Sequence, residues 1–244
     1  MRMFRFFLLA CLAVTISACS STSVRHAPEY RSVISAYHDI SILPPDSKVN
    51  EVDAAGGNKR MYDYEYNMEF VIVDQLMAEL QNKGFRARFI DRKTLYDLGL
   101  SESAAQLGHI YSAERDSLYL KPLWEKEKAF AINNSVSQAA ALIGSKTNSQ
   151  LLILTDYARF IKTGGARTQD VLMDIFLKTH RSDDADKAVM IVGIIEVKTG
   201  RILWSNMGMS IRHAFSSSAD KKAEKEEMKR MVSYLLNPFN SDEK

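Results

Sequence analysis

The stretch VMIVGIIEVKTGRILW, residues 189–204, decides the fold. From Val189 to Val197 the chain is almost entirely β-branched or apolar, and a second apolar run extends from Ile202 to Trp204. Between the two runs, Lys198-Thr-Gly200 supplies a glycine where a tight turn needs one. The pattern therefore predicts an antiparallel hairpin. Because both faces of its first strand are apolar, we expect helices on both sides of the sheet and Trp204 in the core.

The segments around this hairpin extend the same sheet. Period-two apolar runs with polar turns between them predict further antiparallel strands in the second half of the chain. A closing helix from Ala219 to Leu236 has an apolar face at helical spacing, formed by Met228, Met231, Val232 and Leu235. The predicted strands are Leu151–Ile161, Asp170–Thr179, Ala188–Val197 and Arg201–Ile211.

The first half of the chain has a β-α-β pattern. A strand from His38 to Leu43 stops at Pro44-Pro45, and a strand from Phe85 to Ile90 follows a helix that runs from Glu65 to Lys83. The predicted apolar face of this helix is formed by Phe70, Val73, Leu76, Met77 and Leu80. Such a unit places its two strands parallel, with a right-handed crossover. We expect a mobile loop over Asp46–Arg60, short helices capped by Asp91 and Ser101, and a small-residue helix over Val136–Gly144. The fold class is thus α/β, a single mixed-sheet sandwich with a C-terminal helix.

The beginning of the chain predicts export. Arg2 and Arg5 precede an apolar run from Phe6 to Ile16, which is too short to span a bilayer, and small residues follow. Ile16-Ser-Ala-Cys19 resembles the bacterial lipobox, which implies cleavage after residue 18 and acylation of Cys19. The alternative is an ordinary signal peptide with a chance cysteine. In Gram-negative lipoproteins an aspartate after the cysteine resembles an inner-membrane retention signal, so Ser20 favours the outer membrane.

These features divide the chain into three parts. Residues 1–18 form the signal peptide, residues 19–36 the lipidated N-terminus with a polar tether over Ser20–Ser35, and residues 37–240 an α/β periplasmic domain. Cys11 leaves with the signal, so Cys19 is the only remaining cysteine and no internal disulfide forms. Removing Arg2 and Arg5 also leaves basic residues equal in number to the 30 acidic ones, which does not favour nucleic acid as a partner.

The sequence contains no catalytic constellation that we recognise. Nucleophile-elbow, zinc-protease, dinucleotide and phosphate-loop motifs are absent from it, and Gly144-Ser-Lys-Thr147 fits a helix end better than a phosphate loop. We therefore predict no enzyme, no cofactor and no metal site. The remaining ionisable candidates do not share ligand spacing: His26, His38, His109, His180 and His213; the turn aspartates Asp183, Asp184 and Asp186; and Asp39, Asp74 and Asp156, which the sequence does not pair. Tyr62-Asp-Tyr-Glu-Tyr66 is either an interface patch or a loop that covers the helix entrance.

Several short motifs together resemble the periplasmic domain of the curli-secretion lipoprotein family (CsgG-like), whose fold is similar to the TolB amino-terminal domain and to the lipoprotein activator of a penicillin-binding protein. The resemblance implies an α/β domain that self-associates into a ring. It is carried by Ile40-Ser-Ile-Leu-Pro44, Leu76–Leu80 with Gly84-Phe85, Phe89-Ile-Asp-Arg92, Leu151–Tyr157, Lys162-Thr-Gly-Gly165 and Ile195–Trp204.

Four functions follow as hypotheses, and the fourth is an enzyme whose site is scattered across several strands. The first is a non-catalytic outer-membrane lipoprotein that binds a periplasmic or outer-membrane protein in an envelope assembly or secretion complex. The second is an activator of a cell-wall synthase, which the short tether disfavours. The third is a curli-type pore subunit. The alternating residues of 171–197 could face lipid, but apolar residues on their opposite face do not form the polar lumen that a pore needs.

Overall fold

The predicted hairpin lies inside a mixed eight-stranded sheet of the computed structural model, which describes residues 22–52, 57–120, 135–162, 185–213 and 221–239. The described strands run in the order β1-β8-β7-β6-β2-β5, and β3 pairs with both β6 and β4. They are β1 Thr22–His26, β2 Asp39–Ile42, β3 Asp46–Val52, β4 Asn58–Arg60, β5 Arg86–Phe89, β6 Leu151–Lys162, β7 Ala185–Glu196 and β8 Ile202–His213.

The long strand β6 connects the parallel and antiparallel halves of the sheet. Its first residues pair in parallel with β2, and its last residues pair in parallel with β3, while β7 lies antiparallel along its other edge. Pro44 and Pro45 separate β2 from β3 because a proline nitrogen cannot donate to the ladder. The parallel pairing of β2 with β5 confirms the predicted β-α-β unit.

Helices cover both faces, which confirms the α/β sandwich and the two-sided burial of β7. On one face α2 and α6 pack against a core that contains Met190, Val192 and Trp204, and Trp204 is fully buried against Phe239. On the other face α4 and α5 pack against residues that include Leu152 and Ile195. The described helices are α1 Tyr30–Ser35, α2 Tyr62–Asn82, α3 Arg92–Asp97, α4 Ser101–Leu120, α5 Ser135–Thr147 and α6 Lys221–Leu236.

Two local sequence signals, a turn glycine and a helix cap, were predicted correctly. Gly200 has a φ of +69° in the β7–β8 turn, a conformation that glycine adopts without strain. The Asp91 carboxylate accepts a hydrogen bond from the Thr94 backbone N–H at 2.6 Å and caps α3. Among the described residues, no helix has the length and apolar character needed to cross a membrane.

The predicted tether over Ser20–Ser35 is wrong wherever the structure describes it. Residues 22–26 form β1, which pairs antiparallel with β8, and Tyr30 and Ile34 of α1 are buried in the core. Apolar periodicity did not reveal this strand, because an edge strand can be short and polar and still pair through its backbone.

The predicted loop over Asp46–Arg60 is also wrong. Residues 46–52 form β3 and residues 58–60 form β4, and both valines of β3, Val49 and Val52, are buried. Asp170–Thr179, predicted as a strand, lies outside the described residues.

Candidate interaction surface

Three aromatic side chains form an exposed stripe on α2. Tyr62, Tyr66 and Phe70 lie four residues apart, and therefore on one face of the helix, with 67%, 62% and 44% of their surface exposed. The Tyr66 and Phe70 rings meet edge to face with their centroids 5.0 Å apart. The sequence wrongly assigned Phe70 to the buried face. Of the two interpretations of Tyr62–Tyr66, the loop is excluded, because these residues form the first turns of α2.

Two buried glutamates on the same helix hold one arginine each. Glu65 Oε1 accepts hydrogen bonds from the Val49 backbone N–H at 2.9 Å and from Arg60 Nε at 2.8 Å. One turn later, Glu69 Oε2 accepts from Arg92 Nη2 at 2.8 Å. The arginine side chains stay 43% and 64% exposed, whereas their carboxylate partners are buried. The buried glutamates therefore hold the two arginines in place and leave part of each arginine side chain exposed to solvent.

We call Arg60, Tyr62, Tyr66, Phe70 and Arg92 the aromatic–arginine surface. The Arg60 guanidinium lies over the Tyr62 ring, 4.9 Å from its centroid, which joins the arginine to the stripe. Tyrosine and arginine are enriched among the residues that dominate binding at protein interfaces. Because these side chains are already held, a partner would meet a lower entropic cost of ordering them.

A second cluster fixes α2 against α6. Tyr64 donates its hydroxyl hydrogen to Glu224 Oε1 at 2.5 Å, and Arg159 Nη1 donates to the Tyr64 oxygen at 2.6 Å. Burial raises the pKa of Tyr64 well above its usual range, although the nearby Arg159 charge opposes this shift. Tyr64 therefore remains a neutral donor at physiological pH. The cluster holds the helix that carries the aromatic–arginine surface in one position on the sheet.

A buried ion pair lies on the opposite face, under α4. Arg115 Nη1 is 2.7 Å from Asp156 Oδ2, and the two side chains are 6% and 17% exposed. Burial raises the pKa of the Asp156 carboxyl, and the Arg115 charge partly offsets this. The adjoining cleft, which Asp46 and Lys48 also line, holds about 20 Å³, the space of a single water molecule. A structural pair explains this arrangement better than a substrate site does.

The structure does not bring the other candidates together. Asp39 pairs with Arg86 at 2.7 Å on the sheet edge, Asp74 is exposed on α2, and Asp156 lies under α4. In the described part of the chain, no three His, Cys, Asp or Glu residues group in a way that could hold a metal ion. Outside the described residues lie Cys19, His180, Asp183 and Asp184, and the side chains of Asp186 and His213 are likewise not described.

The P-loop-like stretch Gly144-Ser-Lys-Thr147 forms the last turn of α5, as the sequence predicted. Its Thr147 hydroxyl donates to the Ile143 carbonyl at 2.7 Å, within the same helix. This hydroxyl therefore stabilises the helix end, and the stretch does not form a phosphate-binding loop.

Comparison with known proteins shows no family: no family model and no curated protein matches the chain. Solved structures do match at low similarity. The PelC dodecamer from Paraburkholderia phytofirmans is 9% identical, with 90% of this chain and 96% of that chain covered and a TM-score of 0.39. Lipoprotein GNA1162 from Neisseria meningitidis is 9% identical, with 83% and 97% covered and a TM-score of 0.40. The LpoB C-terminal domain from Salmonella enterica is 12% identical, with 75% and 93% covered and a TM-score of 0.26.

Likenesses at this level do not define the function of this chain. They do not test the resemblance to the curli-secretion family and the TolB amino-terminal domain, which stays a prediction.

Proposed function

We propose that this protein is a non-catalytic lipoprotein, anchored in the outer membrane through Cys19, that docks a periplasmic protein partner on the aromatic–arginine surface. It would act as a component of an envelope assembly or secretion complex. The observation that carries the proposal is the exposed stripe of Tyr62, Tyr66 and Phe70 on α2, the helix whose buried glutamates hold Arg60 and Arg92 in place.

The composition of this surface supports a protein as the partner. Large aromatic rings supply apolar area with few rotatable bonds, and guanidinium groups supply planar donors that suit carboxylates and carbonyl oxygens. When such a residue is central to an interface, its truncation to alanine costs about 2 kcal/mol or more, which corresponds to roughly thirty-fold in affinity. This combination of exposed apolar area and charged donors suits the binding of another protein.

The short connection to the proposed anchor disfavours the synthase-activator hypothesis. Only Ser20 and Ser21 separate Cys19 from Thr22, where the sheet begins. Fully extended, those three steps span about 10 Å, far less than an activator that reaches across the cell wall would need. The pore hypothesis assigns residues 171–197 to a lipid-facing hairpin. Residues 188–196 of β7 are instead buried between the helical layers, which disfavours a lipid-facing role, and residues 171–184 lie outside the described residues.

Photo-crosslinking in living cells tests the proposal. We expect a photo-reactive phenylalanine analogue at position 66 to give a discrete heterologous adduct, which mass spectrometry would then identify. Position 234 is the matched control, because Tyr234 is an exposed tyrosine on the neighbouring helix α6. Adding Phe70→Ala should reduce the adduct at position 66, and it should leave protein abundance unchanged because Phe70 lies largely outside the core. Equal adducts at positions 66 and 234 would contradict the assigned surface.

A further inference from the structure

The strand directions place one end of the sandwich next to the proposed lipid anchor. Thr22, the first residue of β1, lies opposite Gly208 of β8, and β1 runs antiparallel to β8 from there towards Trp204. The direction of β1 from His26 back to Thr22 therefore points towards the end of β8 at His213. Cys19 is three residues before Thr22, so it lies within about 10 Å of this position along the chain.

Other elements begin or end at this same end, which we call the anchor end. Lys162, at the end of β6, pairs with Val52, at the end of β3, and Ala185, at the start of β7, pairs with His213. Helix α2 starts directly after β4, and α6 follows β8. The opposite end holds the β7–β8 turn around Lys198, a full strand length away.

We propose that the anchor end faces the bilayer and contacts the headgroups of anionic phospholipids. This inference rests on the lipid anchor in the proposed function. A three-residue connection cannot reach around a sheet whose 12-residue strand β7 is about 40 Å long, so the anchor end must be the one near the membrane. The short chain between Cys19 and Thr22 decides which end faces the membrane. Charge alone does not decide it, because both ends of the sandwich carry basic residues.

The charges at the anchor end suit an anionic surface. A basic residue near such a surface contributes about 1 kcal/mol to its attraction, and the effect falls off within a Debye length. Glu65 pairs with Arg60, and Glu224 pairs with Arg159. The basic positions on the described elements here are Lys59, Arg60, Lys162, Lys187, Arg212, Lys221, Lys222 and Lys225. The five acidic residues on these stretches are Glu51, Asp63, Glu65, Asp186 and Glu224.

This orientation also places the docking surface. Tyr62 is in the first turn of α2, at the anchor end, and Phe70 lies eight residues further along, about 12 Å away. The stripe therefore starts beside the headgroups and extends into the periplasm. A protein that docks there would be close to the membrane throughout the contact.

Energy transfer to labelled lipid tests the orientation of the mature, acylated lipoprotein. The protein would be added to preformed vesicles of phosphatidylethanolamine and phosphatidylglycerol that carry an acceptor lipid. Because Cys19 is the only cysteine after residue 18, an acylated protein has a single free thiol when Asn58→Cys or Lys198→Cys is introduced. Both positions are exposed, at opposite ends of the sheet. Since the ends are about 40 Å apart, we expect at least two-fold more transfer from position 58 than from position 198.

Chemical protection gives a second readout without any substitution. A membrane-impermeant amine reagent should modify Lys59 several-fold more slowly on vesicle-bound protein than in detergent, while the rate at Lys198 stays unchanged. The orientation would be overturned if protein that floats with the vesicles showed equal or reversed energy transfer from positions 58 and 198 together with equal protection of Lys59 and Lys198. The lipid anchor would remain intact in that case. Protein that does not float with the vesicles would overturn both the anchor and the orientation.

Discussion

Replacing Arg115 by methionine should destabilise the protein in a way that depends on pH. The change removes the guanidinium 2.7 Å from Asp156 and leaves that carboxylate largely buried among apolar residues such as Ile191. Breaking a buried pair by removing one partner costs about 3–5 kcal/mol. We expect a loss in the free energy of unfolding of this size at pH 7.

The pH dependence follows from the carboxyl group. Burial already raises the pKa of Asp156 above 3.8, and losing Arg115 raises it further. An acid whose pKa is raised by folding lowers stability as the pH rises from its unfolded value through its folded one, by up to about 1.4 kcal/mol per pH unit. The deficit of Arg115→Met should therefore be small near pH 4 and grow towards its full size as the pH rises past the raised pKa.

Urea unfolding of the variant and the wild type at several pH values, followed by circular dichroism, measures this. Asp156→Asn is the matched control, because Arg115 keeps its Asp116 and Ser112 contacts and position 156 no longer carries a carboxyl group. The double variant Arg115→Met with Asp156→Leu should recover most of the loss. A deficit of Arg115→Met that is the same at pH 4 and pH 7 would refute the assignment of a poorly solvated carboxylate.

Three further predictions concern packing, the docking surface and the anchor. Gly193→Ala should cost about 1–3 kcal/mol in thermal or urea unfolding, because its Cβ would lie 2.3 Å from the Tyr111 hydroxyl oxygen, whereas Gly108→Ala, with nothing within 4 Å, should be neutral or stabilising. Glu65→Gln should lower stability by about 1–2 kcal/mol and release its arginine partner, which would reduce crosslinking from position 66; an unchanged crosslink would show that this glutamate does not shape the surface. Cys19→Ala should move the protein from the membrane to the soluble fraction, and its retention on membranes would exclude the lipid anchor.

The sequence predicted the centre of the sandwich well because apolar periodicity reports burial. β7 is buried on both faces, so its run of apolar residues was unambiguous, and the glycine at position 200 marked the turn. Helix α2 was recognised for the same reason, because its buried apolar residues recur at helical spacing. The edges were predicted poorly, because β1 and much of β3 are held by backbone pairing and carry polar side chains, which have the composition of loops.

The aromatic residues of the candidate surface could be predicted in part from the sequence, but the contacts that hold its arginines could not. The four-residue spacing of Tyr62, Tyr66 and Phe70 can be read from the chain, but the sequence placed Phe70 in the core. The roles of Glu65 and Glu69 depend on Arg60 and Arg92, which lie on other elements and meet the glutamates only in the folded chain. Likewise, Asp156 and Arg115 are 41 residues apart and pair only because α4 packs across β6.

Oxidative footprinting of native envelopes tests most directly whether the aromatic–arginine surface is occupied by a protein. The reaction of hydroxyl radicals with Tyr66 and Phe70 would be compared in isolated outer membranes and in the purified lipoprotein on pure lipid vesicles, with the exposed Tyr96 and Tyr234 as internal references. A protein partner predicts that Tyr66 and Phe70 are protected in envelopes and reactive on vesicles, while the references react equally in both. Full reactivity of Tyr66 and Phe70 in native envelopes would contradict a docked partner, and equal protection on pure lipid would assign the surface to the membrane instead.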